Sequence, residues 1–238
     1  MEQSHAGAAG RQLLAALFPG RCLLCGRWLS LSEDIFFPLC NLCRASLVPI
    51  GKERCAKCGM ALVSESLTCT RCREAGFVFE SNVALFPYSR GPQELIRKLK
   101  FEGRTRLAVL FADLAASAFC PEWQTYPVVP VPPRPGRRTP DPVGRVAACL
   151  EKRHGKTLRR LLVRTGGSQQ KSLDLPRRRE NLRGMIRLAP EKGRPGLPAR
   201  VVLLDDIFTT GATLDACARV LRDAGCEQVY GITLAIEE

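Results

Sequence analysis

Two adjacent carboxylates, Asp205 and Asp206, are the residues whose type and spacing most directly suggest chemistry. They follow a continuous apolar run at residues 201–204, which predicts a strand of a parallel sheet covered on both faces. Ligands bind at the carboxyl ends of such strands. Two neighbouring carboxylates there can accept hydrogen bonds from two adjacent hydroxyl groups, such as those of a ribose. The pair is therefore predicted to orient a sugar.

A phosphate-binding turn is predicted directly after the acidic pair. It offers small side chains, hydroxyl groups and backbone N–H donors at a helix start, in Thr209, Thr210, Gly211, Ala212 and Thr213. Apolar residues at helical spacing predict a helix from residue 214, and Gly225 marks its end. A second strand at residues 229–236 completes a βαβ unit. The whole unit is predicted to bind a ribose phosphate.

Residues 201–213 resemble, at every position, the phosphoribosyl pyrophosphate (PRPP) motif of type I phosphoribosyltransferases. In that family the acidic pair holds the ribose 2′ and 3′ hydroxyls, and the loop wraps the 5′-phosphate. The resemblance makes Asp205 and Asp206 the catalytic pair and places PRPP on them and on residues 209–213. It implies Mg2+ as the accompanying cofactor and displacement of pyrophosphate by a nitrogen nucleophile.

Eight of the twelve cysteines form four Cys-x-x-Cys pairs. A Cys-x-x-Cys pair bends the chain so that two thiolates reach one metal, and two pairs complete a tetrahedral zinc site. We therefore predict two structural zinc ions. Spacing alone allows consecutive or interleaved pairing, and disulfides are the alternative, which the lack of a signal peptide pattern disfavours. The pairs are Cys22/Cys25, Cys40/Cys43, Cys55/Cys58 and Cys69/Cys72.

Length and composition predict a two-part protein. The chain has 238 residues, 45% of them hydrophobic, which suffices for one α/β core beside a small metal-stabilised module. No run approaches the roughly 20 apolar residues of a membrane span, so a soluble, cytoplasmic protein is expected. The predicted divisions are an N-terminal amphipathic helix at 1–19, a double zinc ribbon at 20–76 and a phosphoribosyltransferase-like domain at 77–238.

Alternating strand and helix patterns after the ribbons predict a doubly wound, mostly parallel α/β sheet of the type I phosphoribosyltransferase kind. Strands are predicted within 77–88 and at 126–132, 161–163 and 185–188, and a helix from residue 143. A helical pattern at 93–119 breaks near Gly103. Lys98 and Lys100 precede this break and are candidates for pyrophosphate contacts, with a solvated helix face as the alternative.

Basic residues are concentrated in the middle of the second domain. The chain carries 36 Lys and Arg against 23 Asp and Glu, a formal charge of +13, and residues 134–200 alone hold 19 basic against 5 acidic residues. Such a patch attracts polyanions or a phosphate-rich substrate, with a solvated Arg-rich surface as the alternative. The same segment has no Phe, Tyr or Trp, which argues against a stacking platform for single strands there.

The order of motifs is similar to that of the ComF family of phosphoribosyltransferase-like proteins over about residues 13–236. The phrases that carry the resemblance are LFPGRCLLCG, LIRKLKFEGR, VVPVP, QKSL, RRRENLRG and DDIFTTGATL. Lys98, Lys100 and Gly103 match the family's Leu-Lys-x-x-Gly phrase. A further match covers its Gln-x-x-Leu and Arg-x-Asn stretch, at Gln170, Leu173, Arg179 and Asn181. The resemblance implies an association with competence for DNA uptake.

One segment departs from that family. Where its members carry Arg-Gly-Phe-Asn-Gln or a similar phrase, this chain has Arg138, Thr139, Pro140, Asp141 and Pro142. The aromatic and amide groups are both missing. The contribution of this segment to acceptor binding is therefore in question.

Three functional hypotheses follow. In the first, the chain is a phosphoribosyltransferase, a pentosyl-transferring glycosyltransferase, and Lys171 and Arg179 lie on a basic loop that closes over pyrophosphate. In the second, it is a non-catalytic adaptor that binds single-stranded DNA or a nucleotide while the zinc ribbons dock a protein partner. In the third, PRPP is sensed rather than consumed. The intact acidic pair favours PRPP binding.

Overall fold

The computed structural model describes residues 20–29, 38–62, 66–136, 141–166, 184–190 and 196–237. The predicted helix at 1–19, together with Lys171 and Arg179, lies outside these ranges. The helices are α1 (Asn41–Ala45), α2 (Thr70–Ala75), α3 (Arg90–Phe101), α4 (Thr105–Ala116), α5 (Pro142–His154) and α6 (Ala212–Asp223). The strands are β1 (Asn82–Pro87), β2 (Val128–Pro130), β3 (Leu162–Arg164), β4 (Ile186–Leu188), β5 (Arg200–Phe208) and β6 (Gln228–Ile236).

The two cysteine ribbons are structural repeats. Each begins with a Cys-x-x-Cys-Gly turn, whose glycine, Gly26 or Gly59, has φ of 78°, a left-handed conformation that suits glycine. Each ends with a second Cys-x-x-Cys pair, whose first cysteine, Cys40 or Cys69, is the N-cap of a short helix, α1 or α2. The repeat explains why the sequence presents its eight cysteines as four equal pairs.

Four strands form a parallel sheet in the order β1-β6-β5-β2. Alternate residues of β5 enter different cores, because successive strand residues point to opposite faces. Val202 and Leu204 pack with α3, α4 and α5, whereas Val201 and Leu203 pack with α6. The predicted doubly wound parallel α/β sheet is confirmed.

The two ribbons lie on opposite sides of this sheet. Cys22 and Cys40 of the first ribbon belong to the core that contains α3, and Cys58 and Cys72 of the second ribbon belong to the core that contains α6. Each ribbon is therefore part of a different hydrophobic core. This arrangement decides which metal site can affect which part of the sheet.

The short strands β3 and β4 differ from the expectation that alternating elements all join the parallel sheet. They pair with each other, antiparallel, as a separate two-stranded sheet in which Leu162 opposes Leu188. Ile186 of β4 packs into the α6 core. A strand of three residues carries too little pattern to specify its partner, so the sequence predicted the strands but not their pairing.

The predicted break in the long helical pattern is confirmed. Gly103 has φ of 60° and separates α3 from α4. Apolar residues on both sides of the break, among them Leu99 and Leu107, are buried. None of the helices in the described ranges combines the length and the apolar character needed to cross a bilayer.

Candidate functional site

Asp205 and Asp206 lie in the second half of β5, which continues to Phe208 and so extends beyond the strand predicted from the apolar run at 201–204. The Asp206 N–H donates to Oδ1 of Asp205 over 2.8 Å, and Asp205 lies opposite the buried Thr233 of β6. The two side chains have different neighbours. Asp206 pairs with Lys100 of α3, while Asp205 interacts electrostatically with the buried thiol of Cys217 in α6.

The structure separates the two candidate lysines. Lys100 Nζ lies 2.8 Å from Oδ2 of Asp206, and both side chains are about four-fifths buried. Lys98 Nζ instead donates to the carbonyl oxygen of Leu23 over 2.7 Å and pairs with Glu94 at 3.5 Å. Residues two apart on a helix do not share a face. Lys100 therefore joins the acidic pair, and Lys98 contacts the first ribbon.

The phosphate loop connects β5 to the N-terminus of α6. Gly211, with φ of 77°, is the N-cap of this helix, and its carbonyl oxygen accepts from the Asp215 N–H over 2.9 Å. Thr210 Oγ1 accepts from the Ala212 N–H over 3.4 Å. A helix N-terminus with free N–H groups attracts anions. A small pocket here is lined by Asp205, Ile207, Phe208, Thr209, Gly211, Thr213, Leu214 and Thr233.

Burial, and then the charge of Asp206, raise the pKa of Asp205 from 3.8 to about 8. The hydrogen bond from the Asp206 N–H and the nearby cations Lys100 and Arg164 act in the opposite direction but do not offset the burial. In the ligand-free protein, Asp205 therefore keeps its proton to a higher pH than an ordinary aspartate does. A cation or a set of hydrogen-bond donors brought to the site would favour its ionised form.

Asp205→Asn is expected to stabilise the ligand-free protein, and the gain should grow as the pH rises from 5.5 to 8. The unfolded chain ionises this carboxyl near pH 3.8, whereas the folded protein holds its proton until about pH 8. The folded state consequently loses stability over that interval, and asparagine escapes this loss. We expect a gain on the order of 1–3 kcal/mol at pH 7, measured by thermal unfolding.

The exposed residue Asp223 provides the matched control. Asp223→Asn should change the stability little, because the residue is exposed and surface substitutions have small effects. A gain from Asp205→Asn that is equal at pH 5.5 and pH 8, or that shrinks with rising pH, would contradict the raised pKa.

Two arginines near the acidic pair were missed from the sequence. Burial and the charge of Arg134 lower the pKa of Arg164, whose guanidinium also interacts with Asp205. Arg164 ends β3, and its approach to Asp205 depends on the β3–β4 pairing that a three-residue strand does not reveal. Arg134 directly follows the Pro-Val-Pro-Pro sequence, and this position after a strand could have indicated that it lies near the site. The pair adds positive charge beside the phosphate loop.

Several predicted contacts cannot be placed. Lys171 and Arg179, like Arg138–Pro140 of the divergent segment, lie outside the described residues. The rest of that segment begins a helix, with Asp141 as the N-cap of α5 and Pro142 as its first residue. Proline suits this position because its missing N–H would have no partner there. In this chain, at least the end of the divergent segment has a structural role.

The eight ribbon cysteines converge in two groups of four, which settles the pairing as consecutive. Within each group all Sγ atoms lie within 4.8 Å of one another. Zinc bound tetrahedrally at about 2.3 Å from each sulfur separates neighbouring sulfurs by about 3.8 Å, and the Cys25–Cys40 and Cys58–Cys69 Sγ pairs are both 3.8 Å apart. The groups are Cys22, Cys25, Cys40, Cys43 and Cys55, Cys58, Cys69, Cys72.

Electrostatics also favour a cation in each group. The hydrogen bond from the Cys72 thiol lowers the pKa of Cys58 to about 5, and the same hydrogen bond raises the pKa of Cys72. One thiolate thus forms at the expense of its neighbour. Four thiolates so close together need a divalent cation to offset their charge. Because four sulfurs fill a tetrahedron, these are structural zinc-binding sites.

Comparison with known proteins relates both halves of the chain to others. A double zinc ribbon domain matches residues 13–73. Competence protein ComFC of Streptococcus pneumoniae is 25% identical over 228 residues, covering 90% of this chain and 99% of that protein. Competence protein F of Haemophilus influenzae is 26% identical over 232 residues, covering 92% and 98%. An adenine phosphoribosyltransferase of Clavibacter michiganensis is 50% identical over 52 residues, 22% of this chain and 28% of that enzyme.

Proposed function

We propose that this chain, which is similar to two competence proteins over most of its length and to a double zinc ribbon domain at residues 13–73, binds PRPP with Mg2+ near the end of β5. One observation carries the proposal. Asp205 of the acidic pair lines a pocket with Gly211 and Thr213, at a helix N-terminus that has no side-chain cap. Carboxylates would repel a simple polyanion, whereas a ribose phosphate presents both hydroxyl donors and phosphate oxygens.

The two halves of such a ligand suit the two parts of the site. The ribose hydroxyls would donate to Asp205 and Asp206, and the 5′-phosphate would accept from the N–H groups of residues 210–213. Lys100 now neutralises Asp206 over 2.8 Å. When ribose hydroxyls take over that carboxylate, Lys100 would be available to contact the pyrophosphate. Lys171 and Arg179 remain proposed contacts of the same group.

The site also suits Mg2+, which prefers carboxylate, hydroxyl and phosphate oxygens as ligands. Asp205 and Asp206 are the residues that would face it together with the ligand. Mg2+ bound with PRPP supplies charge neutralisation on the pyrophosphate leaving group. A bound Mg2+ would favour the ionised form of Asp205 and so lower its raised pKa.

The reaction proposed for this site is transfer of the 5-phosphoribosyl group to a nitrogen nucleophile, with pyrophosphate as the leaving group. The acidic pair would orient the sugar and stabilise the positive charge that its ring gains as pyrophosphate departs. We propose that this activity serves competence for DNA uptake, because the two relatives are named competence proteins. Release of pyrophosphate that depends on an added nucleobase would separate turnover from sensing.

The binding proposal is tested by calorimetric titration of PRPP with Mg2+ into the zinc-loaded protein. We expect saturable binding of about one ligand per chain, and a Kd about tenfold weaker in Asp206→Asn. The variant removes one charged acceptor, and a hydrogen bond to a charged group contributes about 1.5 kcal/mol or more.

Asp223→Asn serves as the control for a change of charge alone, since Asp223 lies at the far end of α6 and is exposed. It should bind PRPP like the wild type. A folded wild type that takes up no PRPP with Mg2+ would refute the proposal. Equal affinities of the wild type and Asp206→Asn would remove the acidic pair from the site.

Single-stranded DNA is the second candidate ligand, favoured by a separate observation. Trp28 of the first ribbon is 56% exposed, and the Arg21 guanidinium lies 4.1 Å from the centre of its ring. Aromatic and arginine surfaces together bind unpaired bases. Steep salt dependence of DNA binding would support this candidate. A cleft of about 680 Å³ adjoins Arg21 and is lined by Arg21, Leu23, Glu102, Gly103, Arg104, Thr105 and Arg106.

A further inference from the structure

Arg71 occupies a position from which it links the second zinc site to the phosphate loop. It lies on α2, between the metal-binding residues Cys69 and Cys72. The side chain leaves the ribbon and reaches residues 138 and 166 positions away in the sequence. The metal site holds the backbone of Arg71, and the guanidinium donates a hydrogen bond to the loop.

The Arg71 guanidinium contacts the loop directly. Its Nη1 donates to the carbonyl oxygen of Thr209 over 2.8 Å and to that of Glu237 over 3.3 Å. Its Nη2 also donates to Glu237 over 3.3 Å, and the group lies 5.7 Å from the centre of the Phe208 ring. Thr209 is the first residue of the phosphate loop. One side chain therefore joins the loop entrance, the end of β6 and the ribbon.

Aromatic packing forms a second connection between the same two parts. Phe77, five residues after Cys72, lies edge-on to Phe208 with ring centroids 6.0 Å apart. A Cβ atom on Gly211 would lie 2.7 Å from the Phe77 ring and 2.6 Å from the Phe208 ring. The central glycine of the loop thus rests directly on Phe77, which follows the second ribbon, and on Phe208 of β5.

Hydrogen bonds extend this connection to α6 and to the strand beside the acidic pair. Asp215, in the first turn of α6, accepts from the Val78 N–H over 2.8 Å. Asn82 Nδ2 donates to the carbonyl oxygen of the metal ligand Cys58 over 2.9 Å and to Thr233 Oγ1 over 3.1 Å. Thr233 lines the pocket beside Asp205. Arg71 of the second ribbon, together with Val78 and Asn82 that follow it in the chain, therefore contacts the loop, α6 and Thr233.

The first ribbon is positioned differently. Its carbonyl group at Leu23 receives Lys98 of α3, and Cys22 and Cys40 pack in the core on the other side of the sheet. The two metal sites, alike in their ligands, thus have different neighbours. The second site is the one whose integrity bears on the loop.

We infer that Arg71 is a positioning residue, which holds residues 209–213 in their phosphate-binding conformation and makes that conformation depend on the second zinc site. The identity of the ligand in this inference rests on the proposed PRPP function. The effect of Arg71 on the conformation of the loop does not. Arg71 fixes the loop through the Thr209 carbonyl and does not itself touch the phosphate. The loop would then be ordered before the ligand arrives, which improves affinity.

Arg71→Gln tests the inference, with Arg73→Gln as its matched control. Arg73 lies on the same helix but donates only within the ribbon, to Ser66, Thr68 and Thr70, in the described residues. We expect Arg71→Gln to retain its zinc and to speed amide exchange of the ligand-free loop about tenfold, which matches the loss of one charged hydrogen bond. Its Kd for PRPP with Mg2+ should rise by a similar factor.

The other variants sharpen the result. Arg73→Gln should match the wild type in both readouts, and Arg71→Lys should lie between, because one ammonium cannot replace a planar guanidinium at two carbonyl groups. Unchanged loop exchange in Arg71→Gln would overturn the inference, as would loss of zinc from that variant. If the wild type binds no PRPP, the proposed function fails, yet loop exchange still decides the role of Arg71.

Discussion

Cys58→Ser is expected to remove one of the two zinc ions and to destabilise the protein by at least about 3 kcal/mol. Structural zinc contributes about 10–16 kcal/mol of apparent binding energy in zinc-finger peptides, so even partial loss of one site should be large. Cys58 is fully buried in the same hydrophobic core as Phe79 and Phe208, whose ring centroids are 6.2 Å apart. Loss of the metal would therefore disturb this core as well as the ribbon. The midpoint of thermal unfolding should fall by about 10 °C.

Elemental analysis and thermal unfolding measure the two effects. Cys149→Ser is the control, because Cys149 is half-buried and belongs to neither group of four cysteines. It should keep two zinc ions per chain. A wild type that is folded and reduced but free of zinc would contradict the assignment, as would a Cys58→Ser protein that keeps both ions.

Gly211→Ala is expected to cost on the order of 2–4 kcal/mol and to abolish PRPP binding. The new Cβ would lie 2.6 Å and 2.7 Å from the rings of Phe208 and Phe77, and the residue has φ of 77°. A left-handed alanine costs about 1 kcal/mol, and an overpacked core adds about 1–3 kcal/mol. The rings cannot retreat freely, because Phe77 also stacks on Phe79 at 4.9 Å.

Gly76→Ala isolates the backbone part of this effect. Gly76 also has a left-handed φ, of 57°, but a Cβ there meets nothing within 4 Å. Denaturant unfolding should therefore show a loss of about 1 kcal/mol for this variant. Equal losses for Gly76→Ala and Gly211→Ala would mean that the phosphate loop does not rest on the ribbon's aromatic residues.

The sequence alone predicts those features of the site that are local. The apolar run before Asp205, the loop around Gly211 and the helix after it are contiguous, so the residue types define strand, turn and helix together. The pairing within four-cysteine groups needed the structure, because spacing allowed two solutions. The helix break was also predictable, since Gly103 interrupts an apolar pattern that continues on both sides.

Features that join distant segments were not predictable. Nothing local to Arg71 indicates that its guanidinium reaches Thr209, which is 138 residues away. Lys98 and Lys100 looked equivalent, and only the orientation of α3 directs Lys100 to Asp206 and Lys98 to Leu23. The proximity of Arg164 to Asp205 depends on how the separate two-stranded sheet is placed.

The most direct test of the central claim is an experimental structure of the zinc-loaded protein crystallised with PRPP and Mg2+. We predict ligand density at the end of β5, with the ribose hydroxyls on Asp205 and Asp206 and the 5′-phosphate on the N–H groups of residues 210–213. Lys100 should have left the Asp206 carboxylate, from which it is now 2.8 Å away. A ligand bound elsewhere, with the Lys100–Asp206 pair intact and the loop empty, would contradict the account.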